Sequence, residues 1–354
     1  MNATRVIDLE DTDGLLAADR DGLLRAASSA GAQVRAIAAA VDEGALETLR
    51  TDERARSVIW VAGRGTAETA GAMLAATLGS SASAPIAVVS EAPPWVGPLD
   101  IVIVAADDPG DPSVVAAAAT GVRRGARVVV VAPYQGPLRD STAGRATVLA
   151  PRLWAPDEFG LCRYLAAGLA VLHSVDPRLS IDLASLADEL DAEALRNSAG
   201  RELFTNPAKT MAARISEHRV VLAGDCAATL ALARHGSSIL LRIANHVVAA
   251  TGLADAVVAA HSTPAPSVDA LFHDEEIDGP LPDRLRVLAL TLAGDRTVAA
   301  ARVAGLDDVY LVTAEDIPDA PERTSTAAGP AEQQLAVLAV RLEMAAVYLR
   351  LVRG

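Results

Sequence analysis

The stretch Ser57-Val-Ile-Trp-Val-Ala-Gly-Arg-Gly-Thr66 decides how the chain reads. A continuous apolar run, Ser57–Ala62, stops at Gly63-Arg64-Gly65 and gives way to an alanine-rich segment from Thr66 to Leu78. A short unbroken apolar run fits a strand buried on both faces, and the segment after it has helix composition. Further apolar runs follow at Pro85–Val89, Asp100–Ala105 and Ala126–Ala132, with a helix expected near Ser113–Arg124 and one before them over Leu15–Leu49. The second half repeats the plan. Helices at Glu158–Val175 and Ile181–Ala194 precede the strand Arg219–Gly224, again ending in glycine, and a helix from Ala227 to Arg234. Arg286–Leu292 and Asp308–Val312 read as strands around a helix at Thr297–Ala304, and Glu332–Leu351 reads as a closing helix after a proline-bearing loop at Asp316–Pro330. Apolar strands alternating with helices predict an α/β fold of two domains, each a parallel sheet flanked by helices. The expected domains are residues 1–180 and 181–354, joined near Pro177–Ile181.

Composition narrows the function classes. Of 354 residues, 51% are hydrophobic, enough to fill sizeable cores and too many for a disordered chain. A net charge of −14 argues against nucleic acid or an anionic membrane as partner, because both demand positive surface. The basic residues are all arginine except Lys209. Cys162 and Cys226 have neither disulfide-framework nor zinc spacing, the histidines have no metal-ligand spacing, and neither metal nor cofactor is expected. An acidic N-terminus without an apolar core is unlike a signal peptide, and the apolar runs break before the ~20 residues of a membrane span, so the expected location is cytoplasmic.

A strand–glycine–helix unit can present backbone N–H groups to a phosphate, or can be no more than a tight turn that needs glycine. The order of elements resembles a pair of SIS (sugar isomerase) domains, and in particular the bifunctional phosphoglucose/phosphomannose isomerase family. Four segments carry the resemblance: Val61–Ala67, Pro85–Trp95 with its Pro-Pro-Trp, Asn206-Pro-Ala-Lys-Thr-Met-Ala212 before the strand Arg219–Gly224, and Val347-Tyr-Leu349 in the last helix. The sequence also resembles the divergent actinobacterial branch of that family called TobH.

The resemblance implies a sugar-phosphate ligand, with Gly63, Arg64, Gly65 and Thr66 in the binding turn. It also implies a serine-rich phosphate loop after the third strand, where this chain has Ala106-Asp-Asp-Pro-Gly-Asp-Pro-Ser113. Asp107, Asp108 and Asp111 replace hydroxyls there, which puts Asp108 among the binding positions. One like-charge pair at about 4 Å costs on the order of 4 kcal/mol at an effective dielectric near 20. That exceeds the ~1.5–3 kcal/mol of a hydrogen bond to a charged group, so the phosphate grip is expected to be lost unless the acids face solvent. The acids read either as a solvated loop face or as a changed site that prefers a cation.

The family's catalytic glutamate aligns with His246, which is either a base or a structural residue. Leu271–Ile277 resembles the segment of the ring-opening histidine, so His273 takes that place. Arg152, in Leu149-Ala-Pro-Arg152, takes the place of an arginine that steadies charge on a sugar oxygen, or pairs with an acid across the domain boundary. The expected function is a sugar-phosphate-binding or regulatory protein with a degenerate site, linked to mannose or glucose phosphate metabolism. An active glucose-6-phosphate/mannose-6-phosphate aldose–ketose isomerase and a structural partner of a sugar-activation enzyme are the alternatives. The resemblance and the long apolar helices also lead to an expected homodimer.

Overall fold

The computed structural model describes residues 7–51, 53–216, 218–262, 284–316 and 329–353. Where one helix was expected over Leu15–Leu49, three short ones form: α1 (Thr12–Ala18), α2 (Leu23–Ala27) and α3 (Ala30–Asp42). Gly22, in the left-handed region at φ 68°, breaks the run before α2.

The apolar stretch becomes β1 (Ser57–Val61), followed by α4 (Gly65–Leu78), β2 (Ile86–Val89), β3 (Asp100–Ala105), α5 (Pro112–Arg123), β4 (Arg127–Val131), α6 (Gly136–Thr142) and the two-residue β5 (Thr147–Val148). These strands form one parallel sheet in the order β2-β1-β3-β4-β5, with Val58 opposite Ile101 and Trp60 opposite Ile103. Strand side chains alternate between faces. Ile59, Val61, Val102, Val104, Val128 and Val130 pack on Val114, Ala117 and Ala118 of α5. Trp60 turns the other way, onto α4 and α7 (Leu161–Val175), and its Nε1 donates to the Ala67 carbonyl at 2.9 Å. Gly71 and Gly168 leave the indole its space, because a methyl group on either would fall on Trp60.

The first compact unit comprises Arg20–Ser198 and Gly329–Met344. It runs past residue 180 to Ser198, because α8 (Leu183–Arg196) packs on α3, where Arg35 pairs with Asp188 at 2.7 Å and with Asp191. A buried charge cluster ties α8 to the final helix of the unit. Glu193 accepts from Arg341 Nε at 2.8 Å, Arg196 Nε at 2.9 Å and Asn197 Nδ2 at 2.6 Å.

The second unit comprises the described residues of Met1–Asp19, Ala199–Ala328 and Ala345–Gly354. It holds α9 (Pro207–Ile215), β6 (Arg219–Gly224), α10 (Ala227–Ala244), β7 (Ala249–Gly252), α11 (Leu253–His261), β8 (Leu285–Leu290), α12 (Arg296–Val303) and β9 (Val309–Val312). Its parallel sheet runs β7-β6-β8-β9. The closing helix α13 (Ala331–Arg353) contributes residues to both units. In the Asn206–Ala212 motif the Asn206 side chain caps α9 by accepting from Lys209 N at 2.9 Å. Lys209 is fully buried, and its Nζ donates to the Ala199 and Arg201 carbonyls, each at 2.8 Å. Burial lowers its pKa from the usual lysine value, against the opposing charges of Glu10 and Asp8. Among the described residues no helix is long and apolar enough to cross a membrane.

Candidate functional site

In an open parallel sheet the loops at the carboxyl ends of the strands part where strand order reverses, and ligands bind in that crevice. In the first unit the reversal falls between β1 and β3. The β1–α4 turn holds Gly63, Arg64, Gly65 and Thr66, the expected binding positions. Arg64 is extended at φ −172°, and Gly65 takes φ 74°, which only glycine adopts freely. The N-cap residue Arg64 makes no capping hydrogen bond to α4, and across the turn a Cβ on Gly63 would stand 3.5 Å from Asp111 Oδ2. Arg64 is exposed. Thr66 is not a ligand-facing hydroxyl: it is buried, and its Oγ1 donates to the Asp157 carbonyl at 3.2 Å.

Across the crevice each acid of the β3–α5 loop has an internal use. Asp111 is the N-cap of α5, its Oδ1 accepting from Ser113 N at 2.9 Å and Val114 N at 3.4 Å. The α5 N-terminus therefore already holds a carboxylate. Asp108 Oδ1 accepts from Gly110 N at 2.7 Å, closing a turn, so this expected binding residue is a loop-forming one. Asp107 Oδ1 accepts from Arg163 Nη2 at 2.7 Å and from the Tyr164 hydroxyl at 2.6 Å. A solvated face describes Asp108, which is exposed, while Asp107 and Asp111 are half-buried and each meets donors of the chain itself.

Arg163 and Tyr164 stand on the first turn of α7. The guanidinium stacks over the Tyr164 ring at 4.3 Å. Burial, opposed by the Arg163 charge and reinforced by the Asp107 carboxylate, pushes the Tyr164 hydroxyl well above the usual phenol range, so it stays a donor. Gly160, just before α7, lies beside both groups: a Cβ there would stand in ordinary contact with Thr66 Oγ1 at 3.4 Å and Arg163 Nη2 at 3.5 Å. Sequence reasoning passed over Arg163. The available signal was a lone arginine inside the apolar run Leu161-Cys-Arg-Tyr-Leu165, where a buried charge demands a partner.

The other expected residues lie elsewhere. Arg152 follows β5 and makes a two-pronged pair with Glu43, at 2.7 and 2.5 Å, inside the first unit and not across a domain boundary. Its hydrogen bonds, ahead of the smaller effect of burial, hold Glu43 below the usual carboxylate range. His246 is not on a helix facing a crevice. Asn245, left-handed at φ 49°, ends α10, and His246 lies beyond that end. Since α10 leaves the carboxyl end of β6 and runs 18 residues, about 27 Å, His246 sits toward the opposite edge of its sheet. Its Nδ1 accepts from Arg353 Nη1 at 2.7 Å. Burial and the Arg353 charge lower its pKa, with the Ile215 carbonyl opposing. His273 falls outside the described residues.

In the second unit the strand order reverses between β6 and β8. Asp225, just past β6, accepts from Thr229 Oγ1 at 2.8 Å and from the buried Thr291 hydroxyl. Among the described residues no group of three or more histidine, cysteine or acidic side chains could hold a metal ion.

No protein-family model matches the sequence, and no curated protein does. Solved structures do match. A tagatose-6-phosphate ketose/aldose isomerase from Escherichia coli is similar at TM-score 0.63 and 15% identity, over 99% of this chain and 95% of that one. The C-terminal domain of glucosamine-fructose-6-phosphate aminotransferase from Francisella tularensis is similar at TM-score 0.59 and 12% identity, over 94% of this chain and 96% of that one. At these identities the likeness is one of fold: α/β, with two parallel sheets flanked by helices.

Proposed function

We propose that this chain binds a phosphosugar or a closely related sugar derivative and does not isomerise it, serving a regulatory or accessory role. The fold it shares with proteins named for tagatose 6-phosphate and glucosamine-fructose-6-phosphate chemistry supports the ligand class. One observation carries the rest. The N-terminus of α5 is closed by Asp111, while that of α4, behind Gly63-Arg64-Gly65, takes no capping hydrogen bond from its N-cap residue Arg64, with the Asp111 carboxylate standing beside Gly63. The ligand's phosphate accordingly rests on the α4 turn beside Arg64. The link to mannose or glucose phosphate metabolism rests on the sequence resemblance alone.

The test pairs a thermal-shift titration in glucose 6-phosphate, mannose 6-phosphate and fructose 6-phosphate with a turnover assay on the same preparation. A ligand at 100 times its Kd adds about 2.7 kcal/mol to the folded state, which a melting curve resolves. Stabilisation without conversion, reduced in Arg64→Ala, is the expected result. Conversion of either aldose phosphate to fructose 6-phosphate, or no shift with any of the three, overturns the reading. We also propose a homodimer, against which a monomer-sized species in light scattering at micromolar concentration would count.

A further inference from the structure

The Arg163 side chain is 10% exposed and that of Asp107 is 23% exposed. A guanidinium so deeply placed needs a counter-charge, and Asp107 supplies it through a single oxygen that also takes the Tyr164 hydroxyl. Two donors converging on one carboxylate oxygen form an anion seat, and its occupant belongs to the chain itself. The seat has more donors than the occupant uses, because Arg163 Nη1 is buried with no hydrogen-bond partner. Of the three acids in the loop, Asp107 alone accepts no backbone N–H: Asp108 closes the turn and Asp111 caps α5. Asp107 can therefore swing away without undoing the loop. The seat itself would persist, since Arg163 is stacked on Tyr164 and both are fixed on α7.

We propose that Asp107 is a tethered anion that occupies the Arg163–Tyr164 seat and holds free anions out, so that a ligand's phosphate or carboxylate engages Arg163 only by displacing it. This deepens the reading of the same crevice and rests on it for the class of ligand. The seat itself can be probed without any sugar. A tethered competitor acts at an effective concentration in the millimolar range or above, so removing it should strengthen anion binding about tenfold or more.

Calorimetric titration with inorganic phosphate tests this on the full chain as wild type, Asp107→Ser, and Asp107→Ser combined with Arg163→Gln. Saturable binding in Asp107→Ser, at least about tenfold tighter than in wild type and lost in the double variant, is expected. Circular dichroism checks the fold of each. Should Asp107→Ser not fold, the isosteric Asp107→Asn removes the charge and keeps the shape, with the same direction expected. Phosphate binding no stronger than wild type in the folded variant, or binding that survives loss of Arg163, overturns the proposal. A failed sugar titration in wild type beside a positive phosphate result would instead fault the functional reading alone.

Discussion

Replacing Glu193 with glutamine removes one charge from the interior of the first unit and leaves the shape almost unchanged. The glutamate is fully buried, and Arg341, which donates to it, has a side chain 2% exposed. Taking one partner from a buried ion pair costs about 3–5 kcal/mol, because the remaining charge stays desolvated. Glutamine keeps an acceptor for Arg341, which places the expected loss near the lower limit, about 3 kcal/mol. All three tryptophans of the chain, Trp60, Trp95 and Trp154, belong to this unit, so indole fluorescence during urea unfolding follows it and not the other. With a urea dependence of about 2–3 kcal/mol per molar, the midpoint should fall by roughly 1–1.5 M. Burial alone would raise the Glu193 pKa, but Arg341 and Arg196 outweigh it and hold the carboxyl below its usual value of 4.5. A depressed folded pKa stabilises the fold above the unfolded value, and the contribution fades as pH falls through the folded one. The gap between wild type and Glu193→Gln should therefore be full at neutral pH and narrow in acid below about 4.5. A midpoint within about 0.3 M of wild type, or a gap that does not change with pH, would refute the reasoning.

Two further outcomes follow from the crevice. Asp111→Ala should cost about 1 kcal/mol by uncapping α5, whereas Asp111→Ser should cost only a few tenths; equal losses in thermal melts would show that the cap is not what Asp111 contributes. Asp108→Ser combined with His246→Glu, the pair that would restore a family-like site on the sequence alignment, should leave isomerase turnover at background in a coupled assay, because Asp108 forms a turn and His246 lies beyond α10. A clear rise in rate would refute that placement.

Much of the fold can be read in the sequence, where apolar runs are long enough to be unambiguous. Ile101–Ala105 and Val128–Val131 read as buried parallel strands because every residue in them is apolar and every one is buried. β7 escapes because Ala249-Ala-Thr-Gly252 carries no large apolar side chain, and β5 because two residues give no pattern. The break of the N-terminal helix is legible only with hindsight, in Gly22 and the Ser28-Ser29 pair. The glycine turn after β1 is legible in the sequence, because Gly63-Arg64-Gly65 interrupts an unbroken apolar run. Which of Asp107, Asp108 and Asp111 meets a cation is not legible, because that cation lies 56 residues beyond Asp107, in a helix whose apolar neighbours disguise it. His246 lies past a helix end that the sequence does not announce, because a non-glycine left-handed residue, Asn245, ends α10 one position earlier.

Lys209 is the chain's one lysine, and its ε-amine is spent on two carbonyls in the interior. The folded surface accordingly offers no lysine to acylating or reductively alkylating reagents, and none to enzymes that tag proteins through lysine. Modification at this position can proceed only when the α9 segment opens and the carbonyls of Ala199 and Arg201 let go. The rate at which such a reagent marks Lys209 thus counts openings of that one region of the second unit, a clock for local unfolding that the chain carries without any engineered label.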